Sequence, residues 1–302
     1  MVVAAAVLTL VVVAGAIAVL VGRNGTRYGD DHRNVAFVGS NGLAGAYHLF
    51  AAGVPIDEPV GLLVHFHGDG AFEFHNPDSP YALGGPDGIV AAARDHGLIV
   101  LAALTPDGRG TSTWWEEGSL NADYARDLIR HVAFQQYDVD PDDIWLVGYS
   151  GGAQFITQFL LPKHPDLFGG GGGIVFGGGG PPRVEPAPVA ASLRTRFPMH
   201  WYTGAEDTGT PPEWFDALDA AERGRHWYAL AGFATSIETP DGVGHDGLPF
   251  GRVVAEGLTR LRPDERRRRR PRSALGRQRC GSTVPKVSVL TRYMEFARAC
   301  KR

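Results

Sequence analysis

Gly148-Tyr149-Ser150-Gly151-Gly152 sets a serine between glycines two residues before it and two residues after it. An apolar run, residues 144–147, leads into it, and a helical pattern opens at Ala153. A strand, a sharp turn and a helix in that order lift a serine oxygen clear of the backbone for attack on a carbonyl carbon. The flanking glycines let the two chain segments pass without side-chain collision. The helix that follows presents its amino terminus, which favours negative charge developing in front of it. Ser150 is the candidate nucleophile.

A serine used this way needs a base, a group that holds the base, and donors for the oxyanion. The histidines after Ser150 are His164, His200, His226 and His245. His164 falls in a Lys-His-Pro turn close to the nucleophile helix, His200 lies inside an apolar run, and His226 stands beside Arg225 ahead of a strand. His245 lies in Gly242-Val243-Gly244-His245-Asp246-Gly247, a loop after the apolar run 233–237. Loops at the carboxyl ends of parallel strands carry the reactive groups of open sheets, so His245 is the candidate base. Asp207, in Gly204-Ala205-Glu206-Asp207, occupies the loop one strand earlier and is the candidate acid, with Glu206 and Asp241 as rivals. It would hold the imidazole tautomer and stabilise the imidazolium. An ordinary place at a helix N-terminus before Pro211-Pro212 is its bland alternative.

For the oxyanion, the N–H of Gly151 is one donor. The second comes from His65-Phe66-His67-Gly68-Asp69-Gly70, through the backbone of Asp69 or, alternatively, of Gly70; the Asp69 side chain is not required. The same segment has a second reading. His65, His67 and Asp69 alternate like the opening of a metallo-hydrolase site, but Gly70 stands where a companion histidine is expected. Trp114 and Trp115 follow residues 106–110 in a loop on the same sheet edge. They line a cleft or pack on the helix that starts near Asn121; together with Tyr149 they are the candidate substrate-binding residues.

These residues need a frame. Apolar runs at 62–66, 98–104, 144–147, 174–176, 199–202 and 233–237 read as strands, and residues 86–96, 121–137, 153–161 and 250–261 read as helices. Strands that alternate with helices imply right-handed crossovers and a mostly parallel sheet with helices on both faces, an α/β class. Residues 169–180 are nearly all glycine around Ile174-Val175-Phe176, a short strand between close-approach loops.

A chain of 302 residues accommodates one large α/β domain or two small ones. The formal net charge of −4 hides an asymmetry: of 29 Lys+Arg, 15 lie from Arg260 onward, leaving 14 against 30 Asp+Glu in the body. An acidic body repels phosphates, which argues against nucleic acid as a partner. Residues 1–22 are apolar without a charged side chain, long enough to span a bilayer. They read as an export signal or membrane anchor, which gives an exported protein, anchored or secreted. Residues 23–33 read as a linker, 34–262 as the catalytic domain, and 263–302 as a basic tail. That tail, with Arg266 to Arg270 unbroken, is expected to be disordered. Cys280 and Cys300 both lie in it, outside any CxxC pair, which gives zinc or redox chemistry little support. Export would allow them to form one disulfide, an alternative to two free thiols.

With these residues placed, the chain resembles the α/β-hydrolases, and among them the branch of secreted poly(3-hydroxybutyrate) depolymerases, feruloyl esterases and acetylxylan esterases. The resemblance rests on His67-Gly68-Asp69-Gly70, on Asp138-Val139-Asp140-Pro141 leading into residues 144–152, on Gly204-Ala205-Glu206-Asp207 and on Gly242-Val243-Gly244-His245. It spans residues 34–262. It implies the α/β-hydrolase fold and hydrolysis of a small or polymeric ester by Ser150, His245 and Asp207, with no metal or organic cofactor. The body departs from that branch in having no cysteine. The rival class is a non-catalytic binding protein on the same fold.

Overall fold

The computed structural model describes residues 27–55, 59–106, 108, 110–209 and 214–262. The apolar run 1–22, the first part of the linker, and the tail 263–302 with both cysteines lie outside the described residues. Among the described residues, no helix is long and apolar enough to cross a membrane.

Among the described residues, eight strands form one sheet: β1 (His32–Val38), β2 (Ala44–Phe50), β3 (Val60–Phe66), β4 (Leu98–Ala103), β5 (Val139–Tyr149), β6 (Gly171–Phe176), β7 (Met199–Tyr202) and β8 (Thr235–Glu238). Their order is β1-β2-β4-β3-β5-β6-β7-β8. β1 pairs with β2, and β2 with β4, antiparallel; every other neighbouring pair is parallel. β3, β4, β6 and β7 are buried along their whole length, as strands covered on both faces must be, so they read as unbroken apolar runs.

Helices cover each face. Gly118–His131, Ala217–Leu230 and the helix after Ser150 pack on one side through Ala122, Leu128, Phe155 and Tyr228. Ile89–Asp95 and Phe250–Leu261 pack on the other through Ile89, Ala93, Val254 and Leu258.

Most predicted elements are present, with ends shifted by up to a few residues. The sequence reading omits the helix Ala217–Leu230 and starts β5 at 144 rather than Val139, because residues 140–143 are mostly polar, and four further differences stand out. β1 and β2 carry no long apolar run, because β1 is an edge strand with most of its side chains exposed. β1 also takes in His32 and Arg33, which the sequence reading gives to the linker. The last parallel strand starts at Thr235 rather than 233, because the Phe233 N–H turns back to the Tyr228 carbonyl and ends the preceding helix. The glycine run contributes three residues to β6, which therefore begins at Gly171. There the large side chains come from the flanking strands. A Cβ on Gly172 would meet Trp145 at 2.6 Å, and one on Gly173 would meet the Met199 sulfur at 2.5 Å.

Candidate active site

Ser150 follows β5 at the sheet's centre, with φ 49° and ψ −113°. A positive φ at a non-glycine residue costs on the order of 1–3 kcal/mol and persists only where the surroundings enforce it. Here the Ser150 N–H donates to the Phe176 carbonyl at 2.9 Å, and the Ser150 carbonyl accepts the Gln154 N–H at 3.0 Å. A Cβ on Gly148 would meet the Gly152 backbone at 2.6 Å, and one on Gly152 would collide with the Phe66 carbonyl. Both glycines are therefore required by the turn. The helix Gly151–Phe155 leads away from it and continues through a five-residue π turn, Ile156–Leu160.

Asp207 follows β7 and His245 follows β8. Their two loops are tied together: the N–H groups of Ala205 and Glu206 donate to the carbonyls of Pro240 and Val243, each at 3.0 Å. Gly204 has no room for a Cβ against the Val243 carbonyl. The result brings three side chains into a line. His245 Nδ1 lies 2.7 Å from Asp207 Oδ2, and His245 Nε2 lies 2.9 Å from Ser150 Oγ. An ionised carboxylate only accepts, so Nδ1 carries the proton and Nε2 accepts the serine hydroxyl. Asp207 is 4% exposed, which keeps water from competing for that bond. Its rivals Glu206 and Asp241 are exposed.

The other histidines are placed elsewhere. His164 pairs with Asp123 at 2.9 Å, His200 is buried on β7 with its Nδ1 2.9 Å from Ser236 Oγ, and His226 is exposed on its helix. Burial pushes the His200 imidazole down to about 4.

The loop after β3 is held by two buried side chains. The Thr105 N–H donates to His67 Nε2 at 3.1 Å, so the ring proton sits on Nδ1, which donates to the Gly68 carbonyl at 2.7 Å. Burial drives His67 down to about 4, and it stays neutral. In a trans peptide the C=O and the next N–H point in opposite directions. Anchoring the Gly68 carbonyl therefore turns the Asp69 N–H the other way, where no acceptor among the described residues takes it. Gly151 opens its helix, and its N–H has no carbonyl one turn earlier. The Asp69 side chain lies against Gly151, which brings the two loops side by side.

Glu73, which the sequence reading missed, accepts the Gly68 N–H at 3.1 Å from a nearly dry position. Its only sequence signal is an acidic residue a few positions past the His-Gly pair.

The metal reading of His65, His67 and Asp69 does not survive this geometry. The His67 lone pair is taken by Thr105, and the Asp69 carboxylate accepts the Trp115 indole N–H. His65 is buried and held down to about 3 by burial. Among the described residues, no cluster of three His, Cys, Asp or Glu side chains is placed to hold an ion.

The three candidate substrate-binding residues differ in placement: two are buried, and Trp115 is half-exposed on a cavity whose lining includes no residue of the Ser150–His245–Asp207 line. Trp114 is fully buried, stacked on Phe155 at 4.8 Å and edge-on to Phe66 at 5.0 Å; it is core, as the packing alternative held. Trp114→Ala should accordingly lower stability by about 3–5 kcal/mol, read in a denaturant titration; a change below about 1 kcal/mol would contradict that placement. Tyr149 is buried, and its hydroxyl donates to the His245 carbonyl at 3.1 Å. It ties the nucleophile turn to the base's loop, with its ring 5.2 Å from the His245 ring. Trp115 is half-buried beside Asp69 and lines a cavity of about 440 Å³ with Phe159, Val184, Glu116 and Arg183.

No protein-family model matches the sequence, and no curated protein matches it. Solved structures do. A carboxylesterase from Bacillus cereus is 17% identical with a TM-score of 0.52, over 74% of this chain and 94% of that one. A thermostable esterase is 19% identical with a TM-score of 0.52, over 78% and 61%. An acylaminoacyl peptidase from Pyrococcus horikoshii is 15% identical with a TM-score of 0.52, over 76% and 41%. The likeness therefore covers nearly all of the first structure and less than two thirds of the other two. Identities this low speak to architecture, and together with the strand order they give one conclusion: this chain has the α/β-hydrolase fold.

Proposed function

We propose that this chain is a serine hydrolase of carboxylic esters. The observation that carries the reading is the Ser150–His245–Asp207 line, with contacts of 2.9 and 2.7 Å, on a turn held at positive φ. Ser150 Oγ attacks the ester carbonyl carbon while His245 Nε2 takes its proton, and Asp207 stabilises the imidazolium through Nδ1. The N–H groups of Gly151 and Asp69 receive the oxyanion. His245 then returns the proton to the leaving alcohol. Water repeats the sequence on the acyl-enzyme and frees the acid. Every step uses groups of this chain alone.

The structural neighbours include two esterases and a peptidase, so the preference for esters over amides rests on the resemblance to polyester depolymerases and feruloyl and acetylxylan esterases. Polymer or plant cell-wall esters are the finer proposal. A panel of acetyl, feruloyl and 3-hydroxybutyrate esters tests it: turnover of at least one is expected, and inertness toward all three together with other simple esters would contradict it.

Residues 1–22 are proposed to act as an export signal or anchor, and residues 263–302 to lie outside the catalytic domain. The helix Phe250–Leu261 already covers the sheet through Val253, Val254 and Leu258. Pro263 then removes a backbone donor. A chain cut to residues 26–263 should therefore remain soluble and keep the parent's melting temperature and ester turnover. Loss of either on cutting the tail would place the tail in the fold.

A further inference from the structure

The Asp69 side chain has no part in the mechanism above, yet it lies at the mechanism's centre. Both of its carboxylate oxygens accept the Trp115 indole N–H, at 3.2 and 3.0 Å. Oδ1 rests against Gly151, where an added Cβ would collide with it. Among the described residues no lysine or arginine pairs with it. We propose that Asp69, steadied by Trp115, makes the site select esters that carry a cationic group a few atoms from the scissile carbonyl. The inference rests on the serine-esterase reading and adds its substrate class.

The oxyanion of the tetrahedral intermediate forms beside the N–H groups of Gly151 and Asp69. It thus forms near a carboxylate that has no lysine or arginine partner among the described residues and whose one cationic neighbour is the His245 imidazolium formed in the same step. Asp69 is exposed, so water screens the repulsion between these like charges without removing it. A neutral ester must bear that repulsion. A substrate cation beside the carboxylate, on the side where Trp115 reaches it, adds a counter-charge and offsets that repulsion. Burial pushes the Asp69 carboxyl up and Glu116 adds to it, while His245 and the indole pull it down, as expected for a carboxylate short of positive partners. The half-buried Trp115 ring adds a face on which a quaternary ammonium can rest.

Asp69→Asn isolates the charge, because it keeps the backbone donor, the side-chain volume and an oxygen for the indole. The full-length protein and this variant are compared on two pairs of isosteric esters. One pair is butanoylcholine and the ester in which carbon replaces its nitrogen. The other is the nitrophenyl ester of γ-trimethylammonio-butanoic acid and its carbon counterpart. The parent should favour the cationic member in at least one pair. The variant should lower that kcat/KM ratio about tenfold or more, by slowing the cationic ester and speeding the neutral one. A ratio unchanged in both pairs, or an equal loss on both members, overturns the inference while leaving the esterase reading intact. Turnover of no ester by either protein, with no fluorophosphonate adduct on Ser150, overturns the esterase reading itself.

Discussion

Ser150→Ala is expected to lower ester turnover by at least about ten-thousand-fold, leaving only the rate that oxyanion donors and substrate binding provide. The hydroxyl is the group that bonds to the acyl carbon, and nothing else in the line Ser150–His245–Asp207 is a nucleophile. The backbone cost of the turn stays the same, since alanine meets the same penalty at φ 49° as serine does. The melting temperature should therefore shift little. Turnover within tenfold of the parent would remove Ser150 from the mechanism.

Asp207→Asn should cost about ten-thousand-fold in kcat, again with the fold retained. The amide matches the carboxylate in size and keeps its place in a pocket that is 4% exposed. What changes is the bond to His245 Nδ1. An amide nitrogen there forces the ring into the tautomer whose proton sits on Nε2, where it opposes the Ser150 hydroxyl instead of accepting from it. The imidazolium also loses its buried counter-charge. Circular dichroism and a thermal melt check the fold, and single-substrate kinetics check the loss. A loss of under tenfold would pass the acid's role to Glu206 or Asp241.

The central strands and the residues at their carboxyl ends were readable in the sequence because burial on both faces forces unbroken apolar runs. β3, β4 and β7 announce themselves that way, and Asp207 lies in the loop that follows β7; His245 follows the half-exposed edge strand β8 and was marked instead by its glycine-rich loop. The nucleophile turn was readable for a different reason: Gly148 and Gly152 are the only side chains its geometry admits. Side-chain direction was not readable. Trp114 and Trp115 are neighbours in sequence, yet one is sealed between Phe66 and Phe155 and the other reaches Asp69. The Tyr149 hydroxyl finds the His245 carbonyl 96 positions away, a contact no local pattern encodes. His67 reads as a metal ligand from its alternation with His65, and only the Thr105 N–H on its second nitrogen shows it to be a loop anchor. β1 escaped because an edge strand with exposed side chains has no apolar signature.

The most direct test of the account is the site of covalent labelling by a fluorophosphonate, which phosphonylates a serine only where a base and oxyanion donors activate it. The account expects one adduct per chain, mapped by mass spectrometry of the digested protein to Ser150, absent in Ser150→Ala and greatly slowed in Asp207→Asn. No adduct, or an adduct on a different serine that accompanies loss of ester hydrolysis, would contradict it.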